Sequence, residues 1–246
     1  MEVHHHPHLE HKEKPWKEYL LEGLMIFLAV SMGFIAENIR EHLAENNKKK
    51  ELLEIVALDL ERDIKQLDFH KDFAKKKMIS CDSLLYLLDL NNNKVNEYDY
   101  YRQIFNVLSY WNFNSNNKSL IEADTKGYLS SSQNPELANL ILKFNFFSND
   151  YKSSEDKELK LMDKFSDELP FISDNEILNK YTSRLLKEER ITSNHIGIKN
   201  AKMDDLVQSK FILIHLRNIG YGYLGDIDSM QVYAKKSIEN IRHQKY

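Results

Sequence analysis

Residues 53–88 read LEIVALDLERDIKQLDFHKDFAKKKMISCDSLLYLL, and their apolar side chains recur with the period of a long helix. The stripe we identify is Leu53, Val56, Leu60, Ile64, Leu67, Lys71, Ala74, Met78, Cys81, Leu85 and Leu88. Its mean spacing of about 3.5 residues is typical of coiled coils and of antiparallel helical bundles. Lys71 is the polar exception, and Cys81 is expected to be a small buried apolar residue.

The same helix is expected to begin well before this stripe. No Gly or Pro occurs between Gly33 and Gly127, so the sequence predicts one helix from Trp16 to about Leu88. The chain has only 7 Gly and 4 Pro in 246 residues, which disfavours β-sandwich and Rossmann folds. We therefore predict an all-α protein, with an N-terminal transmembrane helix that continues into a long helical stalk and an antiparallel helical bundle.

Two short helices are predicted next, from Tyr98 to about Trp111 and around Leu120 to Leu129. Asn134, followed by Pro135, then marks the start of a longer helix, because Asn is a favoured N-cap and Pro a favoured first residue. We expect the polar stretch KSSEDKE, residues 152–158, to interrupt the apolar face of this helix.

The helices of the C-terminal third of the chain are predicted from a proline, a capping motif and a cluster of glycines. Pro170 is expected to end the preceding helix, and Ser173 with Glu176 forms a capping box for a helix to about Lys187. A last long helix is predicted from about Ala201 to His243. The cluster of glycines within it, at 220, 222 and 225, predicts a kink or a tight helix contact.

A membrane segment is the strongest functional signal. Residues 24–36, LMIFLAVSMGFIA, carry no charge, and the stretch from Tyr19 to Ile39 reaches the length of about 20 residues that a spanning helix needs. Trp16 precedes it, where aromatic rings favour the membrane interface. We predict a transmembrane helix; a buried core helix and a cleaved signal peptide are the alternatives.

The predicted organisation has three parts: a His-rich tail at 1–15, a transmembrane helix and collar at 16–41, and a helical stalk and bundle at 42–246. Lys and Arg number three before the span and four after it, which gives no useful asymmetry. A short tail, one span and a large C-terminal part form the usual signal-anchor layout. We therefore expect a single-pass bacterial inner-membrane protein with a periplasmic C-terminal domain.

Five residues are candidates for contacts of the membrane helix: Glu22, Ala29, Gly33, Glu37 and Arg40. Ala29 and Gly33 form a small-xxx-small pair, which allows a second helix to approach closely. Glu22 is expected to reach headgroup water or to pair with a partner subunit. Glu37 and Arg40 lie one turn apart on one helix face and are expected to form a solvated collar.

Histidines at the N-terminus are the candidate metal ligands: His4, His5, His6, His8 and His11. Neutral imidazoles at this density could bind Zn²⁺, Ni²⁺ or Cu²⁺, whereas the alternative is a tail that binds no metal. His215, within FILIHL, is expected to be a core histidine. A di-iron bundle is disfavoured, since the only Glu-x-x-His spacing is Glu2 to His5. We predict no catalytic residues and no cofactor.

Residues 3–42, VHHHPHLEHKEKPWKEYLLEGLMIFLAVSMGFIAENIREH, resemble a family of uncharacterised single-span membrane proteins of Bacteroidota that begin with a His-rich segment. The resemblance weakens to a pattern in SLIEADTKGYLSSSQNPELANLILKF, residues 119–144. It implies that Trp16 to Glu41 is the signature segment, that the His-rich tail is native, and that the protein lies in a bacterial membrane. It implies no activity.

The leading hypothesis is a membrane-anchored, non-enzymatic scaffold or accessory subunit of a bacterial envelope complex. Its expected partners are the lipid bilayer and either other membrane subunits or further copies of itself, through the span and stalk. A net charge of -4 without a strongly basic region argues against nucleic acid. The alternative is a membrane-anchored sensor or ligand-binding bundle, which would need a partner at its short N-terminal tail.

Overall fold

The computed structural model describes residues 15–89, 97–130, 134–174, 176–179 and 201–243. We number its longer helices α1 to α5, and they are α1 (Trp16–Asp89), α2 (Glu97–Leu108), α3 (Lys118–Thr125), α4 (Pro135–Ile172) and α5 (Met203–His243). Residues 176–179 are also helical, and the described residues contain no strand. The prediction of an all-α fold is therefore confirmed, and α1 matches its predicted bounds to within one residue.

The chain divides into two compact units, one up to Glu51 and the other from Leu52 to Lys245. In the described part of the first unit, every residue from Trp16 onward belongs to α1. The second unit holds the rest of α1 and the other four helices, which form the bundle and its core.

In three helices of the bundle, the buried residues are spaced alternately three and four positions apart. In α1 these residues are Leu53, Val56, Leu60, Asp63, Leu67, His70, Ala74, Lys77, Cys81, Leu84 and Leu88. In α4 they include Tyr151, Glu155, Glu158, Met162, Phe165, Leu169 and Ile172, and in α5 they include Leu213, Leu216, Gly220, Tyr223, Ile227, Met230 and Ala234. Helices with this seven-residue repeat pack side by side, and the side chains of one helix insert as knobs into holes between the side chains of the next.

Contacts between α1 and α5 show that the two helices are antiparallel. As residue numbers on α1 rise from Glu54 through Asp82 to Asp89, the ion-paired residues on α5 fall from Arg242 through Arg217 to Lys210. The α4 helix runs in the same direction as α1, since His70 and Lys77 contact Tyr151 and Glu158 respectively.

The fourth side of the bundle is covered by α2, the non-helical residues 109–117 and α3, which together run antiparallel to α1. At one end the Tyr100 hydroxyl donates to the carbonyl of Ile172, at 3.0 Å. At the other end the Ser119 hydroxyl donates to Asp59, at 2.6 Å. The bundle is thus antiparallel, as predicted, but its fourth side is made of two short helices separated by non-helical residues.

The α1 stripe differs from the predicted one in every second turn. Asp63, His70 and Lys77 are buried, whereas Ile64 and Lys71, which we had placed on the stripe, are only half-buried. The prediction continued the stripe one residue further along, through Ile64, Lys71 and Met78, and therefore missed the polar residues in the core. Cys81 is fully buried as predicted, and burial raises the pKa of its thiol to about 12.

The start of α4 is as predicted, but its end is not. Asn134 accepts a hydrogen bond from the backbone N–H of Leu137 and caps the helix, with Pro135 as its first residue. The helix continues through the KSSEDKE stretch, which interrupts its apolar face as predicted, because two glutamates are buried there. Pro170 was expected to end the helix but lies within its last turn, and α4 ends at Ile172. Proline removes one backbone donor, a loss that a helix tolerates near its end.

The predicted capping box after α4 is also wrong. The Ser173 hydroxyl donates back to the carbonyl of Leu169, and Asp174 instead accepts from the backbone N–H groups of Glu176 and Ile177. The predicted continuation to Lys187 lies outside the described residues.

Gly220 makes the tight helix contact that the glycine cluster predicts. A Cβ atom built on Gly220 would lie 2.5 Å from Cγ of Met78, whereas one on Gly222 or Gly225 would meet nothing within 4 Å. The close approach of α5 to α1 therefore depends on Gly220, while Gly222 faces open space.

Gly220→Ala and Gly222→Ala should consequently have opposite effects on stability. Gly220→Ala forces Met78 to move and should destabilise the bundle by about 1–2 kcal/mol, after the gain in helix propensity. Gly222→Ala should stabilise it by roughly 0.5–1 kcal/mol. The measurement is the urea dependence of Cys81 labelling in the full chain in detergent, because this thiol reacts only when the bundle opens. Equal effects of the two variants would contradict the close contact.

Candidate functional site

The apolar segment of α1 presents hydrophobic side chains on every face. The helix contains a window long and apolar enough to cross a membrane, and no residue of that window is buried in the structure. Ile26, Phe27 and Phe34 are each exposed by 66% or more. A soluble core helix would be mostly buried, so the surroundings of this segment must be supplied by something other than the described residues.

The five residues predicted on this segment all lie on exposed turns of α1. The structure brings Glu37 and Arg40 together, with Nε of Arg40 donating to a Glu37 oxygen at 3.0 Å, while their role as a collar at a membrane surface stays a prediction. Gly33 has open space around its Cα, and Ala29 is exposed one turn before it. Contacts of Ala29, Gly33 and Glu22 with a second helix therefore stay a prediction.

The histidine predictions have different outcomes. His4, His5, His6, His8 and His11 lie outside the described residues. His215 is exposed rather than buried, and its ring nitrogen contacts the carbonyl of Phe211 at 2.8 Å, so its placement in the core is wrong. Within the described ranges, no group of three or more His, Cys, Asp or Glu side chains is placed to hold a metal ion.

A buried ion pair joins three helices at the middle of the bundle. Nζ of Lys77 on α1 lies 2.6 Å from Oε1 of Glu158 on α4, and the two side chains are only 5% and 8% exposed. The hydroxyl of Tyr223 on α5 donates to the other Glu158 oxygen at 2.7 Å. Both carboxylate oxygens of Glu158 are thus hydrogen-bonded, as a buried charge requires.

His70 and Tyr151 extend this polar layer by seven residues, or two helical turns. Nδ1 of His70 and the Tyr151 hydroxyl are 3.1 Å apart, and the Tyr151 ring lies 4.6 Å from that of Tyr223. Burial lowers the pKa of His70, against the opposing charge of Glu158. The cavity beside these groups is ≈ 20 Å³, enough for about one water molecule but not for a substrate.

Three further buried carboxylates support the non-helical residues 109–117. Glu155 accepts from the backbone N–H of Phe113 at 3.1 Å. Asp63 accepts from Ser115, and Asp59 accepts from the Asn116 side chain at 2.9 Å. Burial raises the pKa of both Glu155 and Asp63, and the hydrogen bonds partly offset that effect. These acceptors replace the backbone partners that a helix would have supplied.

The buried polar layer was not predicted from the sequence, although the spacing of its residues along the chain contains a signal for it. Glu155 and Glu158 follow Tyr151 at four and seven residues, so they continue the spacing that begins at Leu137. Asp63, His70 and Lys77 are likewise seven residues apart on α1. A strict heptad count predicts all five in the core, whereas a search for apolar residues discards them.

Comparison of the chain with protein-family models, with curated proteins and with solved structures found no match.

Removal of one member of the buried pair should cost far more stability than removal of both. Lys77→Met leaves the Glu158 charge buried without its partner and should destabilise the bundle by about 3–5 kcal/mol. The double variant Lys77→Met with Glu158→Gln should lie within about 1 kcal/mol of the natural chain, since neutral groups need no counter-charge. Urea unfolding of these two variants and of the natural chain measures the difference.

Arg217→Met is the matched control, because Arg217 forms an ion pair with Asp82 at the surface of the same bundle. Its cost should stay below about 1 kcal/mol, as for other exposed pairs. A cost for Lys77→Met as small as this control would show that the pair is not buried as described.

Asp226 should make the bundle less stable as pH rises. Burial, and then the nearby charge of Asp150, raises the pKa of Asp226 from 3.8 to about 6. Between these two values the folded state holds a proton that the unfolded state has lost, so the free energy of unfolding falls with rising pH and levels off above about 6.

Asp226→Asn removes this penalty and should raise the free energy of unfolding at pH 7.5 by about 1 kcal/mol. This figure is smaller than the full pKa shift would give, because the side chain keeps much of its hydration. The gain should disappear at pH 4. Asp150→Asn should act in the same direction but less. The same gain at both pH values would contradict the assigned titration.

Proposed function

We propose that this protein is a membrane-anchored helical scaffold, or accessory subunit, of a bacterial envelope complex. The observation that carries the proposal is the apolar segment of α1, whose hydrophobic side chains are exposed on all faces. Lipid would cover such a segment completely, whereas the side chains of one neighbouring helix would cover a single face. We further propose, from the signal-anchor layout, that the bundle is periplasmic and the span lies in the inner membrane.

The bundle itself supports a structural rather than a catalytic role. Its buried carboxylates bind Lys77 and Tyr223 or the backbone and side chains of residues 113–119. The cavity next to the ion pair has room for about one water molecule and not for a substrate. A pre-organised bundle of this kind suits a protein that positions partners. The family of Bacteroidota membrane proteins that residues 3–42 resemble has the same expected location.

Charge placed in the apolar segment should remove the protein from the membrane. Phe27→Arg with Val30→Arg adds two charges near the centre of the segment, at about 2.5–3.5 kcal/mol each for insertion. The expected result is loss from the membrane pellet after alkaline carbonate extraction. Leu142→Arg is the matched control, because Leu142 is exposed by 68% on α4. Retention of the doubly charged variant in the pellet would contradict a lipid-embedded segment.

The scaffold role is tested by purification of the full chain from gently solubilised membranes after cross-linking. We expect a stable complex, of this chain with other subunits or with further copies of itself, that is lost or reduced when Gly33 is replaced by Leu. A chain that stays monomeric and returns no cross-linked partner would contradict the proposal, even if it remains in the membrane.

A further inference from the structure

A groove lies on the bundle surface between α1 and α2, above the buried ion pair. Its volume is ≈ 380 Å³, within the range of sites that hold small molecules. Phe73 and Ile79 give it an apolar part, and polar side chains of both helices form the rest. The buried cavity with room for one water molecule is separate from this groove, although Phe73 and Lys77 line both.

The side chains that line the groove include three cations and no carboxylate. Lys77 is neutralised by Glu158, but Lys76 on α1 and Arg102 on α2 form no ion pair with any carboxylate in the described ranges. Along the seam between α1 and α5, by contrast, cations of α5 such as Arg217 are paired with carboxylates of α1. The α1–α2 seam therefore presents positive charge that no carboxylate of the described residues pairs with.

Ser80 adds a hydroxyl group to the wall of this groove. It lines the groove at 2% exposure, and its Oγ accepts a hydrogen bond from the Asn106 side chain at 3.2 Å. No hydrogen bond that Ser80 donates is found within the described residues, so its proton is available to an acceptor in the groove.

We propose that the α1–α2 groove binds a small anion that carries a phosphate group. The guanidinium of Arg102 matches two phosphate oxygens, Lys76 adds a point charge, and the Ser80 hydroxyl and Gln103 amide supply further donors. Phe73 and Ile79 would contact an apolar part of the ligand. The phosphate group could belong to a soluble molecule or to a lipid headgroup, and the two sources are distinguished below.

The experiment uses the full chain in maltoside micelles, which contain no phosphate, with sodium pyrophosphate as the probe in isothermal titration calorimetry. We expect saturable binding with a Kd of about 1 mM or tighter. Lys76→Gln and Arg102→Gln should each weaken it about tenfold, and Arg102→Lys should weaken it less than Arg102→Gln because charge remains. Both positions are exposed, so these variants should fold normally.

Lys235→Gln with Lys236→Gln is the control, because both lysines are exposed on α5 and the pair removes twice the charge of either groove variant. The control should bind pyrophosphate as the natural chain does. Absence of saturable binding, or equal weakening in the control, would overturn the proposal. Addition of phosphatidylglycerol to the micelles then identifies the source: competition with pyrophosphate indicates a headgroup, and unchanged affinity indicates a soluble ligand. Neither outcome depends on whether the protein acts as a scaffold.

Discussion

The bundle must close its fourth side without a continuous helix, and most of its buried polar chemistry follows from that constraint. Between α2 and α3 the backbone of residues 109–117 is not helical, yet Phe113 within it is buried. Buried backbone donors without acceptors are costly, so the facing helices supply carboxylates, Glu155 from α4 and Asp63 from α1. These two acidic residues in the core are thus the counterpart of the break in the facing helix.

The ion pair of Lys77 and Glu158 then fixes how the helices align. It lies between two apolar clusters, one around Leu60 and Ile227 and the other around Cys81 and Phe165. Apolar heptads alone permit a slip by one repeat at little cost, but such a slip would separate the two charges inside the core. Gly220 acts at nearly the same level, because only a residue without Cβ accommodates Met78 there. Register is therefore determined at one layer, where α1, α4 and α5 all meet.

The sequence allowed the architecture to be predicted because helix length and period follow from local rules. The bounds of α1 and α5, and the Asn134 cap of α4, depend on nearby residues alone. The polar layer could not be predicted in the same way, because a glutamate in a core position is stable only if a lysine on another helix faces it. Lys77 and Glu158 are 81 residues apart in the sequence, and the hydropathy pattern around either residue does not indicate that the other will face it.

The two units solve the burial of apolar side chains in opposite ways, and this contrast is the physical argument for a membrane. In the second unit a stripe such as Leu53, Leu60 and Leu67 faces inward and is fully buried. Before it, residues 44–51 are almost entirely polar, which is how a helix surrounded by water is built. The first unit has no such stripe: Ile26, Phe27 and Leu28 follow one another around the helix, about 100° apart, and all are exposed. A single protein neighbour covers one face, whereas surrounding lipid would cover all of them at once, and this makes the segment a candidate membrane span.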